Sequence, residues 1–169
     1  MPHSIARWLY ELCVWLDQTP LSQWIQTHGG SVIPTVQTIH ILSIAVVMSS
    51  ALMIGLRLLG AFGRDQSLDR VAARFLPLVW WPLPVLLTTG AIMIIGEPAR
   101  SLRNPVFQLK MALLIVAVTV TLMLRSQLHH DPAFGDQSRA PKGTTRLTAV
   151  VFLLLWVGII FCGRWIAYV

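Results

Sequence analysis

The chain has 169 residues, of which 55% are hydrophobic and only 12% are charged, and its mean hydropathy is +0.67. Because soluble domains carry about 25% charged residues, this composition excludes an ordinary soluble protein and indicates an integral membrane protein of one domain. The net charge of +6 does not indicate nucleic-acid binding, since the basic residues are spread over the connections between apolar runs. Two cysteines, Cys13 and Cys162, are too few for a disulfide framework.

Residues 1–30 precede the first apolar run and predict two short amphipathic helices, over 3–16 and 20–27. Thr19 as the N-cap and Pro20 at the first helical position favour the second helix. The segment contains three tryptophans that are typical of helices lying in a membrane interface, namely Trp8, Trp15 and Trp24. An ordinary soluble extension is the alternative for this segment.

Four apolar runs follow, each longer than the ~20 residues that cross a bilayer. The sequence predicts an all-α membrane four-helix bundle over residues 31–169, with spans at about 33–62, 71–95, 105–128 and 145–167. His28-Gly-Gly is expected to end the second short helix, and Pro82 and Pro84 predict a kink in the second span. The short connections predict that neighbouring spans are antiparallel.

The lysines and arginines near the ends of the spans predict the orientation of the protein. One side carries eight of them: Arg57, Arg64, Arg70, Arg74, Arg125, Arg139, Lys142 and Arg146. The other side carries four: Arg7, Arg100, Arg103 and Arg164. The positive-inside rule places the first group in the cytoplasm. The sequence therefore predicts a multi-pass protein of a bacterial inner (cytoplasmic) membrane, with both termini in the periplasm.

Two ionisable residues, His40 and Lys110, lie within predicted spans. Both spans start on the outer side, so at ~1.5 Å per residue the two residues lie roughly 8–10 Å below the outer membrane end. The fourth span brings Cys162 and Arg164 to the same side, and the second span contributes Thr88-Thr89. Ionisable groups are costly inside a bilayer and usually serve a function, so these residues are expected to form one site.

A histidine at this depth is a good axial ligand for haem iron, provided that its second ring nitrogen finds an acceptor. Lys110 can lose its proton and coordinate, or stay charged and pair with a propionate or another anion. Arg164 suits a propionate because its guanidinium binds carboxylates bidentately. The structural alternative stays open: His40 can hydrogen-bond a facing Ser or Thr, and Lys110 can extend to the interface.

The residues around this site resemble the small four-helix bacterial protoporphyrinogen oxidase family (HemJ-like). The resemblance rests on His40 with Leu56-Arg57-Leu58-Leu59 at the far end of its span, and on Lys110-Met-Ala-Leu-Leu-Ile-Val in the third span. The second span, Arg74-Phe to Pro-Val-Leu-Leu-Thr-Thr-Gly90, is similar to that family and to copper-resistance D-type (CopD-like) membrane proteins.

The resemblance covers about residues 33–125 and implies a b-type haem, with His40 as axial ligand and Lys110 as a site residue. It also implies an oxidase or electron-transfer role in the membrane. Leu59-Gly60 stands where the oxidase family has a tyrosine-histidine pair, and residues 1–30 have no counterpart there.

The leading hypothesis is therefore a haem b protein that transfers electrons, or oxidises a small hydrophobic substrate, near the outer leaflet. As a membrane oxidoreductase it would work with a redox partner or a quinone. Two alternatives stay open: a transport subunit for copper or another small solute, and a non-catalytic accessory subunit of a homo-oligomer or larger membrane complex. The second axial ligand and the substrate do not follow from the sequence.

Overall fold

The computed structural model of the protein describes residues 2–62, 68–130, 142–166 and 168, and these residues form helices without a strand. The eight helices are, in chain order, α1 (Pro2–Asp17), α2 (Pro20–Thr27), α3 (Gly29–Leu58), α4 (Leu68–Trp80), α5 (Pro82–Gly96), α6 (Pro98–Leu102), α7 (Pro105–His130) and α8 (Lys142–Trp165).

Four helical segments are long and apolar enough to cross a membrane: Gly29–Leu58, Arg70–Gly96, Pro105–Gln127 and Arg146–Trp165. The predicted all-α four-helix membrane bundle is thereby confirmed, and the chain is a multi-pass membrane protein. The connections 63–67 and 131–141, with Arg64 and Arg139 of the orientation prediction, lie outside the described residues.

The first span begins earlier than the sequence predicted, because the single residue His28 separates α2 from α3. The His28 backbone N–H donates to Trp24 O at 3.1 Å and closes α2. The His28 carbonyl in turn accepts from the N–H groups of Ser31 and Val32, at 3.1 and 3.0 Å, and so opens α3. Gly29 and Gly30 therefore form the first turn of α3, which ends at Leu58 rather than 62.

The second span is broken where its prolines predicted a kink. Its two halves, α4 and α5, are separated at Trp81. Pro82 and Pro84 have no backbone N–H, so the carbonyls one turn before them, on Leu78 and Trp80, lose their helical partners. The division between α4 and α5 thus lies where the prolines predict a kink.

The packing order of the spans leaves one side of the bundle open. Helix α3 is central, with α4 and α5 on one flank and α8 on the other. Helix α7 packs along α8 and touches α4 lightly, but within the described residues it makes no backbone contact with α3 or α5. We call the end where α3 and α7 begin and α5 and α8 end the N-terminal end of the bundle. In the half of the bundle nearest that end, α5 and α7 therefore make no backbone contact within the described residues, and we call the space between them the gap.

The two short N-terminal helices are docked on this same end. Helix α1 packs on α6, and α2 packs on α5 and α3. Thr19 caps α2 as predicted, its hydroxyl accepting from the Ser22 N–H at 3.3 Å. The Ser22 hydroxyl donates to Ile95 O at 2.7 Å and the Gln26 amide donates to Gly96 O at 3.3 Å. These bonds satisfy carbonyls that the end of α5 would otherwise leave without partners.

The other half of the bundle holds the apolar core, where α3 and α8 approach closely. Buried residues of the two helices, among them Ile54 and Phe152, have no solvent exposure. A Cβ atom placed on Gly55 would lie 2.5–3.0 Å from the branched end of the Leu153 side chain. Gly55 is thus required by the distance between these two helices, because any larger residue must push Leu153 away.

We expect Gly55→Ala to destabilise the bundle by about 1–3 kcal/mol, the usual cost of overpacking a tight helix contact. The measurement is the thermal unfolding midpoint in detergent, followed by circular dichroism. Gly158→Ala is the matched control, since its added Cβ would meet Leu113 at an ordinary 3.6 Å. Equal midpoints for the two variants would contradict the close α3–α8 approach.

Candidate functional site

His40 and Thr89 form a side-chain hydrogen bond between α3 and α5. The distance from His40 Nδ1 to Thr89 Oγ1 is 2.7 Å. Thr89 is buried and His40 is partly buried. The kink at Trp81 precedes this contact by two turns, and α5 is the segment of span two that packs beside the N-terminal half of α3.

The partners of the Thr89 hydroxyl determine which nitrogen of His40 carries the proton. Thr89 Oγ1 lies 2.6 Å from Val85 O. A carbonyl has no hydrogen to give, so the hydroxyl must donate its single proton there. Towards His40 the hydroxyl oxygen can then only accept, and His40 Nδ1 must be the donor. The neutral imidazole therefore carries its proton on Nδ1 and keeps the lone pair of Nε2 available for a ligand.

Gly90 leaves free space beside the imidazole. A Cβ atom placed on Gly90 would meet His40 Cε1 at 3.7 Å, the one neighbour within 4 Å. Cε1 joins the two ring nitrogens, so this space lies next to the edge of the ring that includes Nε2. A glycine here lets a flat group approach the ring without striking α5.

Lys110 lies on the opposite side of the gap, against α8. A Cβ atom placed on Gly163 would lie 3.6 Å from Lys110 Nζ and 3.7 Å from Cε, so the side chain runs along the bare backbone of Gly163. Cys162, the neighbour of Gly163 in α8, is buried. Within the described residues Lys110 has no carboxylate partner, since the ion pairs there join Arg7 to Glu11 and Arg100 to Glu97.

The structure brings His40 and Lys110 into one region without a hydrogen bond between them. The Lys110 ammonium is close enough to interact electrostatically with the His40 imidazole. Helix α7, which carries Lys110, makes no backbone contact with α3 or α5 within the described residues, so the two residues approach each other through their side chains alone. The site thus offers a ring nitrogen from α3 on one side and an amine from α7 on the other.

Arg164, the third residue expected in the site, has different neighbours. Its guanidinium donates to the Tyr168 hydroxyl at 3.0 Å and stacks over that ring at 5.4 Å, and the side chain is exposed. The contacts of Arg164 in the described part of the chain therefore keep it at the end of α8. Thr88 is also separate, because it is exposed and donates to Pro84 O.

Sequence reasoning placed Thr88 and Thr89 near the site but did not identify Thr89 as the partner of His40. It also overlooked Gly90 and Gly163, which give room to His40 and Lys110. The sequence did contain a signal for both glycines, since Gly90 follows a threonine in the second span and Gly163 follows Cys162 in the fourth. Which of two adjacent threonines faces α3 depends on the kink at Trp81, whose angle the sequence does not specify.

We expect Thr89→Val to remove the acceptor of the His40 Nδ1 proton and to shift the imidazole towards a mixture of tautomers. The measurement is the ¹⁵N spectrum of histidine-labelled protein, with His40→Ala used to assign the signals. Thr88→Val is the matched control, because its neighbouring hydroxyl bonds only within its own helix. A His40 spectrum that is the same in both variants would contradict the assignment of the proton to Nδ1.

Comparison with known proteins gives a family for this chain. No curated protein and no solved structure matches it. Residues 12–169 match a family described as a family of unknown function (DUF6644), a match that includes the last six residues of α1 and all four spans. The chain therefore belongs to the family of unknown function DUF6644.

Proposed function

We propose that this protein binds a b-type haem in its membrane and transfers electrons, or oxidises a small hydrophobic substrate, near the outer leaflet. The observation that carries the proposal is the His40–Thr89 hydrogen bond of 2.7 Å, which leaves Nε2 as the free ring nitrogen. In metal-binding histidines the other ring N–H is usually donated to an oxygen acceptor in this way.

The donor set around the gap fits a haem. Axial ligation requires one neutral imidazole nitrogen, which His40 supplies, and free space beside the ring, which Gly90 leaves open. The described residues contain no group of three or more His, Cys, Asp or Glu side chains that could hold a metal ion. A copper-transport role is for this reason the weaker candidate.

Lys110 could have either of two roles in such a site. Its charge lacks a carboxylate partner in the described part of the chain, so an anionic group such as a propionate would compensate it. If the amine loses its proton instead, its lone pair can act as a second ligand. His40 and Lys110, with their neighbouring residues, resemble the HemJ-like family. This resemblance also supports His40 and Lys110 as residues of a haem site.

The orientation is part of the proposal. By the positive-inside rule, the N-terminal end of the bundle faces the periplasm of a bacterial inner membrane, with both termini on that side. His40 and Lys110 then lie in the outer leaflet. The exposed tryptophans of α1 and α2, which have 53–64% of their surface accessible, would rest in the interface above them.

When bound, haem supplies one-electron redox chemistry, and the chain supplies its surroundings. His40 holds the group and Thr89 fixes the orientation of the ring. Because α5 and α7 make no backbone contact within the described residues, a quinone or another apolar partner would approach the site between these two helices. The apolar walls also limit water, which influences the redox potential.

The first test is the visible absorption spectrum of detergent-purified protein from haem-supplemented cells, oxidised and dithionite-reduced. We expect a Soret band with sharp reduced bands in the wild type, and at least a tenfold loss of bound haem in His40→Ala (roughly 1.4 kcal/mol or more of binding free energy). His28→Ala is the matched control, because the His28 ring is exposed and its contacts in the described part of the chain are with Trp24.

A featureless wild-type spectrum, or equal haem in the two histidine variants, would contradict the proposal. Copper binding would then be measured for the transport alternative, and co-purifying subunits for the accessory alternative.

Two substitutions at Lys110 separate its roles. Lys110→Met removes charge and lone pair, whereas Lys110→Arg keeps the charge but cannot coordinate, because arginine does not deprotonate in proteins. If Lys110 is a ligand, we expect both variants to change the spin state seen in the absorption spectrum. If it pairs with an anion, we expect only Lys110→Met to reduce haem retention. Wild-type spectra and haem content in both would exclude Lys110 from the site.

A further inference from the structure

A groove of about 450 Å³ lies between α1 and the α5–α6 turn, separate from the His40–Lys110 site. Its walls come from α1 on one side and from Gly96 to Arg103 on the other, with Gln26 of α2 at one edge. Span two ends and span three begins at this level, so the groove lies at the boundary between the bilayer core and water.

The walls of the groove are fixed by hydrogen bonds between helices that are distant in the chain. The Cys13 thiol donates to Pro98 O at 3.6 Å and ties α1 to α6. The Gln26 amide donates to Asp17 Oδ1 at 2.7 Å and to Gly96 O at 3.3 Å, joining α1, α2 and α5. The groove is therefore preformed, and a ligand would not have to order it.

Four charged side chains line the groove, two of each sign. Asp17 and Glu97 are the anions, and Arg100 and Arg103 are the cations. Arg100 Nη1 pairs with Glu97 Oε2 at 2.8 Å, but both side chains are more than half exposed, so this pair is weak and can be exchanged. The lining therefore matches a ligand that carries one charge of each sign.

We propose that this groove binds the headgroup of a phospholipid with a phosphate and a primary ammonium, that is, a phosphatidylethanolamine. Arg100 and Arg103 would bind the phosphate, and Asp17 and Glu97 would accept hydrogen bonds from the ammonium. An anionic headgroup without an ammonium would offer no cationic donor to the two carboxylates. A choline headgroup has no N–H to donate, so it would satisfy them less well.

The position of the groove supports a lipid rather than a soluble ligand. Tyr10 and Val14, on the α1 wall, are exposed beside the charged lining, as is the neighbouring Trp15. A lipid held here would place its acyl chains along the spans and its headgroup between α1 and α6. This inference does not depend on haem binding.

The test is lipid retention by full-length protein, reconstituted in nanodiscs with equal amounts of phosphatidylethanolamine, phosphatidylcholine and phosphatidylglycerol. Lipids that remain on the protein after transfer to detergent are counted by native mass spectrometry. We expect phosphatidylethanolamine to be enriched in the wild type, and the enrichment to fall about two- to fivefold in Arg103→Ala and in the isosteric Asp17→Asn. Arg7→Ala is the matched control, because Arg7 is exposed on α1 and pairs with Glu11 outside the groove.

Equal retention of the three lipids, or an equal loss in Arg7→Ala and Arg103→Ala, would overturn the proposal. A preference for phosphatidylglycerol would also overturn it, since it would show that the two arginines bind the headgroup without the carboxylates.

Soluble glycerophosphoethanolamine is added as a competitor. Displacement of the lipid at equal concentration would show that the groove binds a free phosphoethanolamine group and not a membrane lipid. Thermal unfolding midpoints within error of the wild type ensure that the variants are folded.

Discussion

The hydrogen bond between His40 and Thr89 is the interaction on which the candidate site depends. In a bilayer a polar side chain must find its partner within the protein, because no water replaces it. Thr89 meets this requirement for one imidazole nitrogen only, since its own proton is committed to Val85 O at 2.6 Å. The second nitrogen of His40 is thereby left as a lone pair. The bond joins α3 to α5, and under the proposed function it would also orient Nε2 as a ligand atom.

The arrangement of the spans determines the surroundings of the Nε2 atom of His40. Helix α3 is held between α4–α5 and α8, and α7 packs along α8 away from α3 and α5. Helices α3 and α8 pack tightly at Gly55. The half of the bundle nearest the N-terminal helices contains the gap between α5 and α7. Helices α1 and α2 hold this end of α5 in place through Ser22 and Gln26. The N-terminal segment therefore supports the helix that positions Thr89.

Much of the fold could be predicted from the sequence, because apolar runs, prolines and caps act locally. The four spans, the break near Pro82 and the Thr19 cap all follow from such signals. The continuation of α3 back to Gly29 did not follow, since it depends on one carbonyl, at His28, accepting two bonds. His40 and Lys110 could be singled out as site candidates from the sequence, because an ionisable side chain is costly in lipid. The pairing of Thr89 with His40 and the exposed position of Arg164 depend on the rotation of each helix about its axis, which hydropathy does not specify.

The measurement that tests the central claim most directly is the redox midpoint potential of the bound haem in wild-type protein, Thr89→Val and Thr88→Val. Donation of the Nδ1 proton to Thr89 makes the imidazole a stronger donor and stabilises oxidised iron. The potential should therefore rise in Thr89→Val and stay at the wild-type value in Thr88→Val. Identical potentials in all three proteins, or no haem in any of them, would contradict the account.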